Sequence, residues 1–166
     1  ACHALRELDG EDADGDGLPA LCGAAASTND VRPMDAGSPD DVAAAERIDW
    51  IYNHAFHVAL IDGDIDLDFD GAFTSTTADA PIPFDEGHFG ELAGTIDWIG
   101  LNYYGPVMVA GTGGGALGGI PFIDVADYAP TLPHSTLGFA IDADGFSAVI
   151  DAFQARYGLP MYVTEN

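Results

Sequence analysis

The end of the chain constrains the fold most, because it predicts a helix, a tight turn and a short strand in direct succession. Asp142 or Asp144 can cap the helix, and Gly158 with Pro160 ends it. A short apolar run follows and delivers one carboxylate, Glu165, to its tip. Units of this order build parallel α/β sheets. The predicted helix carries an apolar stripe at helical spacing, which consists of Phe146, Val149, Ile150, Phe153 and Tyr157.

A second apolar run, residues 95–104, ends in an Asn-Tyr-Tyr sequence. It predicts another buried strand, because the strands of a parallel sheet are covered on both faces and are apolar throughout. Successive side chains of a strand point to opposite sides, so Asn102 and Tyr104 are expected on one side and Tyr103 on the other. In parallel α/β barrels the functional side chains lie at the carboxyl ends of the strands. Glu165 at such an end is a candidate nucleophile toward a sugar.

Two further elements are predicted upstream. Residues 18–26 are small and apolar, which indicates a buried strand. Ser38, a proline and two aspartates form a strong helix start, with a hydroxyl cap and carboxylates at the positive end of the dipole. This helix is expected to run to about Leu60. His54 and His57 on it are interpreted as ordinary interface or surface histidines, since a metal site needs more ligands than this pattern offers.

The two strand motifs resemble glycoside hydrolase family 1, the β-glucosidase-like retaining glycosidases. In that family the sixth barrel strand reads Asp-(aromatic)-Ile-Gly-Leu-Asn-Tyr-Tyr, which is similar to residues 97–104. The seventh strand reads (Val/Ile)-Thr-Glu-Asn-Gly and carries the nucleophile, which is similar to residues 163–166. Residues 132–141 and the helix after residue 41 are also similar to family segments, with Phe139 where a Trp is usual. The resemblance covers most of the chain and is strongest at the two strands.

The resemblance implies a fold, a reaction and three site residues. The implied fold is α/β, a partial (β/α)8 TIM barrel that runs roughly from the fourth helix to the seventh strand. The implied reaction is hydrolysis of O-glycosyl bonds in β-glucosides or related β-glycosides, with retention and without a cofactor or metal. Glu165 would be the nucleophile, Tyr104 would hydrogen-bond it, and Asn102 would bind the substrate. The expected partner is a small-molecule glycoside or an oligosaccharide.

The length of the chain bears on how much of a barrel it can form. Its 166 residues suit one ordinary domain, whereas a closed (β/α)8 barrel needs roughly 250 residues. We therefore expect residues 1–166 to be one incomplete barrel domain, truncated at both ends. The family's acid/base glutamate lies in an Asn-Glu-Pro motif, which does not occur in this sequence. Because a retaining mechanism needs two carboxyl groups, the chain by itself is expected to be inactive.

Composition excludes two classes of partner. The formal net charge is −24, from 28 acidic residues against 4 Arg and no Lys. A surface this acidic repels phosphates, so nucleic acid is not expected as a partner. No uninterrupted apolar run of the length of a membrane span occurs, so a membrane is not expected either. The hydrophobic content of 48% indicates a packed globular body. The compartment is not determined by the sequence.

An alternative from a different class is a non-catalytic acidic module that binds calcium or carbohydrate. Residues 12–17 fit the first half of a calcium loop, where alternate Asp oxygens converge. The second half does not fit, because the twelfth position is Gly23 where a bidentate Glu is required. A second acidic run, Asp62 to Asp70, alternates with apolar residues. A solvated acidic turn is the favoured interpretation of the first run.

Overall fold

A computed structural model describes residues 10–12, 15–66, 86–111, 124–127 and 131–166 of the chain. Six strands and four helical segments lie within these residues. The strands are β1 (Gly23–Pro33), β2 (Asp64–Ile65), β3 (Gly87–His88), β4 (Trp98–Ala110), β5 (Asp124–Asp127) and β6 (Met161–Glu165). The helices are α1 (Pro39–Asp49), a π-helical turn (Trp50–His54), α2 (Ala55–Ile61) and α3 (Ala143–Tyr157).

The main sheet is built around β4. Both β1 and β6 pair with β4 in parallel, and β5 pairs with its last residues in antiparallel orientation. Helices lie between the three parallel strands along the chain. The order of these elements is β1, α1–α2, β4, α3, β6. The two short strands β2 and β3 form a separate antiparallel pair. The prediction of an α/β fold with a parallel sheet is confirmed.

Two predicted strand boundaries were wrong. The first strand does not begin at Leu18 but at Gly23, and it runs on to Pro33. Leu18 and Leu21 are exposed, so the early apolar residues of that segment belong to a turn region and not to the sheet. The second strand continues past Tyr104 because β1 and β5 supply hydrogen-bond partners over its second half.

The predicted helix ends are confirmed. The Ser38 side chain accepts a hydrogen bond from the Asp41 N–H at 3.3 Å and caps α1. The helical segment then continues through the π-helical turn to Ile61, close to the predicted end. Asp142 caps α3 through the Gly145 N–H, and Gly158 ends α3 in the left-handed region with φ 64°.

The core lies between the helices and one face of the sheet. Helix α3 packs on the first half of β4, and α1 packs on the second half. On the opposite face of the first half of β4, Trp98, Asn102 and Tyr104 are half-buried, and residues 162–165 of β6 are exposed. Among the described residues no helix is long and apolar enough to cross a bilayer. The buried core residues are Leu60, Ile96, Ile99, Leu101, Tyr103, Val149 and Phe153 in one cluster and Ala44, Ala45, Ile48, Val107 and Val109 in the other.

The two histidines of the long helical segment are interface residues, as interpreted. His54 Nδ1 lies 2.9 Å from the Tyr157 hydroxyl of α3. His57 is fully buried, its Nδ1–H donates to the Asn53 carbonyl at 3.0 Å, and its ring packs edge-on against Phe153. Its Nε2 has no hydrogen-bond partner among the described residues. Burial away from water lowers the pKa of His57 below its ordinary value of 6.5.

We expect His57 to make the chain less stable in acid. The unfolded chain takes up a proton on His57 below about pH 6.5 and the folded chain does not, so the free energy of unfolding falls as the pH drops through that value. The slope for one proton is about 1.4 kcal/mol per pH unit. Urea unfolding between pH 7.5 and 5 measures it. His57→Asn should flatten the slope, whereas His88→Asn, which removes an exposed imidazole, should not; equal slopes in all three chains would contradict the prediction.

Candidate functional site

The middle of β4 and the carboxyl end of β6 bring the three predicted site residues together. The Tyr104 hydroxyl donates a hydrogen bond to the Glu165 carboxylate. The side-chain carbonyl of Asn102 accepts a hydrogen bond from the hydroxyl of Thr164. Glu165 is exposed, whereas Asn102 and Tyr104 are half-buried. The roles assigned to these residues stay predictions, but the geometry places a carboxylate, a phenol and an amide on one face of the sheet.

An extra residue in β6 decides which way Glu165 points. Leu101 pairs with Val163, but the next residue of β4, Asn102, pairs with Glu165. Thr164 is therefore unpaired in the ladder, and its hydroxyl oxygen, which donates to Asn102, also lies 3.3 Å from the Leu101 carbonyl oxygen. In a regular register Glu165 would lie opposite Tyr103, whose side chain is in the core. Because a one-residue shift moves side chains to the other face, Thr164 turns Glu165 toward the exposed face.

A second bulge lies in β4 beside Tyr104. Between the pairs Thr28–Tyr103 and Asp30–Pro106, β4 advances three residues while β1 advances two. The extra length falls at Tyr104 and Gly105, and Gly105 has φ 137°. A Cβ on Gly105 would lie 2.8 Å from the Ala140 carbonyl oxygen, so only glycine fits there.

Neither bulge was predicted, although one of them has a signal in the sequence. Gly105 and Pro106 interrupt an otherwise apolar run. Glycine inside a strand often marks a bulge, and proline inside a sheet is confined to edges and bulges. The bulge in β6 has no comparable signal, because Thr164 is an ordinary strand residue.

The two adjacent tyrosines have different surroundings. Tyr103 is buried and its ring stacks on Phe146 of α3, with ring centroids 4.7 Å apart. Burial raises the pKa of Tyr103 above its ordinary value, and the carboxylates of Asp30 and Asp142 raise it further. Tyr104 instead stacks on Phe139, with ring centroids 5.3 Å apart. The predicted alternation therefore holds, with Tyr103 in the core and Tyr104 at the site.

A cleft of about 380 Å³ opens beside these residues. It lies between the middle of β4, the segment 131–141 and the first turn of α3, and its surface is mainly apolar. Pockets of this size and character hold small organic groups. The cleft shares Tyr104 with the proposed nucleophile site. The residues that line it include Tyr103, Tyr104, Phe139, Ala140, Asp142 and Phe146.

The described part of the first acidic run uses its carboxylates to build a turn. Asp12 accepts hydrogen bonds from the Gly15 and Gly17 N–H groups, and Asp16 accepts one from Leu18. Residues 13–14 and the end of the second run, including Asp68 and Asp70, lie outside the described residues. Within the described residues no group of three or more His, Cys, Asp or Glu side chains could hold a metal ion. This part of the structure gives the calcium-binding alternative no support.

Comparison with known proteins relates this arrangement to one family. Residues 15–166 match the family model described as Glycosyl hydrolase family 1. A β-galactosidase from Pyrococcus woesei is 31% identical over 181 residues, which cover 100% of this chain and 32% of the relative. The virulence factor SghA from Agrobacterium tumefaciens, also solved with its substrate analog salicin, is 25% identical with a TM-score of 0.67 over 88% of this chain and 31% of SghA.

The fold is also similar to that of a GH1 β-glucosidase from Exiguobacterium antarcticum B7. The TM-score is 0.72 at 21% identity, over 99% of this chain and 35% of that chain. The chain thus spans about a third of the length of the relatives and solved structures it matches. Its parallel α/β sheet corresponds to part of their barrel.

Proposed function

Because the chain belongs to glycosyl hydrolase family 1, we propose that it supplies the nucleophile side of a retaining β-glycosidase site. The observation that carries the proposal is the Tyr104–Glu165 hydrogen bond, which lies at the carboxyl end of β6 and just past the stretch of β4 that pairs with β6 in parallel. That end of a parallel α/β barrel is where catalytic groups lie. The pattern of β4 and β6 supports their assignment as the sixth and seventh barrel strands.

In the proposed reaction Glu165 attacks the anomeric carbon of a β-glycoside. A bond forms between the carboxylate oxygen and that carbon, and the bond to the leaving oxygen breaks. Water then attacks the same carbon, the glycosyl ester is cleaved, and the sugar is released with its original configuration. The Tyr104 hydroxyl holds the carboxylate in one orientation, and the Asn102 amide hydrogen-bonds a sugar hydroxyl.

Protonation of the leaving group needs a second carboxyl group. Glu165 is one of six glutamates in the sequence, and none of the six stands in an Asn-Glu-Pro motif. We therefore propose that the 166-residue chain does not hydrolyse unactivated glycosides by itself. Its proposed substrates in the first step are β-glucosides or related β-glycosides. The relative SghA, which binds salicin as a substrate analog, supports a small-molecule glycoside as the ligand.

A fluorosugar tests the proposal without requiring the acid/base residue. In 2-deoxy-2-fluoro-β-glucosyl fluoride the leaving group is fluoride, which departs without a proton, and the 2-fluoro group slows hydrolysis of the ester that forms. We expect one glycosyl group per chain, attached to Glu165, as measured by intact-protein and peptide mass spectrometry. The α-anomer is the matched control and should not react. Attachment at another residue, or none under conditions that label an intact family member, would overturn the proposal.

A further inference from the structure

A polar cluster behind the cleft connects β1 to the start of α3. Arg32, near the end of β1, donates from Nε to Asp30 at 2.7 Å and from Nη2 to Asp142 at 2.6 Å. The Asp142 side chain is only 9% exposed and that of Asp30 20%. With four Arg and no Lys against 28 acidic residues, few cations are available in this chain. One of them neutralises a nearly buried carboxylate next to the cleft.

Asp142 uses its two oxygens for different partners. One oxygen accepts the Gly145 N–H at 3.1 Å and caps α3, and the other accepts the Arg32 guanidinium. A Cβ on Gly145 would lie within 3 Å of Asp30, Tyr103 and Asp142 side-chain oxygens, so the first turn of α3 sits directly on this cluster. The contact with Arg32 therefore fixes the position of the helix end as well as that of the carboxylate.

The same helix end forms one wall of the cleft. Phe146 in its first turn stacks on Tyr103, and Ala140 just before it lies against Gly105 in the bulge of β4. Phe139 stacks on Tyr104, whose hydroxyl bonds Glu165. A shift of the wall would move Phe139 along the Tyr104 ring.

We propose that Arg32 is a positioning residue, which acts through Asp142 to hold the wall of the cleft and with it the Tyr104 ring beside Glu165. This proposal rests on the proposed function and deepens it, since a nucleophile that is misplaced by a small distance reacts slowly. Arg32 touches neither Tyr104 nor Glu165 through any hydrogen bond or ion pair described here. Its guanidinium fork suits this role because it can donate to two carboxylates at once, which a lysine ammonium does in a less fixed geometry.

Amide hydrogen exchange and ring resonances of the 166-residue chain test this by NMR. In Arg32→Gln the Gly145 amide should exchange about three- to tenfold faster, and the Tyr104 and Phe139 ring signals should shift. The wild-type Gly145 rate should rise with salt, and the variant should lose this dependence. Arg32→Lys should retain part of the wild-type protection of the Gly145 amide against exchange. Arg47→Gln, which removes the same charge from an exposed position on α1, should change none of these signals.

A double-mutant cycle separates positioning from general stability. Asn at position 142 keeps an oxygen for the Gly145 cap but loses the charge, so Arg32→Gln should add no further change in an Asp142→Asn chain. The proposal is overturned if the effects of the two substitutions on the Gly145 exchange rate are additive. It is also overturned if Arg32→Gln accelerates exchange equally at the Gly145 and Asn29 amides. These measurements need no glycoside. They decide the role of Arg32 even if the fluorosugar fails to label Glu165. If labelling occurs, the limiting rate of labelling should be lower in the Arg32→Gln chain than in the wild type.

Discussion

Replacing Glu165 by glutamine is expected to lower the rate of labelling by the fluorosugar by at least about 10⁴-fold, as removal of a catalytic nucleophile does in other enzymes. Glutamine has the shape of glutamate and its amide oxygen can still accept the Tyr104 hydrogen bond, but the neutral amide is a poor nucleophile. The loss should therefore appear in the chemical step and leave the fold intact. Mass spectrometry after timed incubation measures the rate, and circular dichroism checks the fold.

Two further variants sharpen this result. Glu91→Gln removes an exposed glutamate and should label at the wild-type rate. Tyr104→Phe removes one hydrogen bond to the carboxylate, worth about 1.5–3 kcal/mol for a charged partner, and should slow labelling by roughly 10- to 150-fold. Labelling of the Glu165→Gln chain at a rate near that of the wild type would show that another residue is the nucleophile.

Replacing Asn53 by leucine is expected to destabilise the chain by about 3–5 kcal/mol, which is a large part of the stability of an ordinary domain. The Asn53 side chain accepts the Asn29 N–H at 2.9 Å and donates to the Asn29 carbonyl at 2.7 Å. Both residues are buried. Leucine leaves the N–H and the carbonyl of Asn29 without these partners, and each unsatisfied buried group costs about 1–3 kcal/mol. Urea unfolding followed by far-UV circular dichroism measures the loss.

Asn53→Asp gives this prediction a pH signature. In the wild type the carboxylate of Asp49 accepts a hydrogen bond from the Asn53 side chain at 2.6 Å. In the variant at neutral pH, the new carboxylate would instead face that carboxylate and the Asn29 carbonyl. The variant should be least stable at pH 7 and recover partly in acid, where a protonated carboxyl can donate again. Glu46→Leu on the exposed side of α1 is the control and should change stability by less than about 0.5 kcal/mol. A loss of similar size in Glu46→Leu and Asn53→Leu would assign the effect to added hydrophobicity.

The sequence predicted those parts of the fold that depend on local chemistry. The caps Ser38 and Asp142 and the glycine stop at Gly158 are read from the types of residue at helix ends, and the structure has all three. The predicted apolar stripe of α3 packs on β4 in the structure, because helical periodicity determines which side chains share a face. The closeness of Tyr104 and Glu165 was expected from the resemblance of the two strand motifs to the family, and the two side chains are hydrogen-bonded.

The remaining features depend on partners far away in the chain. The start of β1 at Gly23 follows from its pairing with Trp98, and the local signal against a strand at Leu18 is Pro19, which follows it directly. In the sequence Asn53 is only a polar residue in a helical segment. Its structural role comes from its hydrogen bonds to Asn29. Arg32 and Asp142 are 110 positions apart, so their contact is set by the packing of α3 on the sheet. The register of β6 likewise depends on which residue of β4 it meets.

The unpaired Thr164 makes β6 one residue longer than the stretch of β4 with which it pairs. Deleting that one position would leave the carboxylate opposite Asn102 in a regular register, on the same face of the sheet. Keeping the length but losing the bulge would instead place the carboxylate opposite Tyr103, toward Phe146 and the hydrophobic interior. The direction of the carboxylate therefore depends on this local irregularity, and a one-residue gap here in an alignment with distant relatives is compatible with the same sheet.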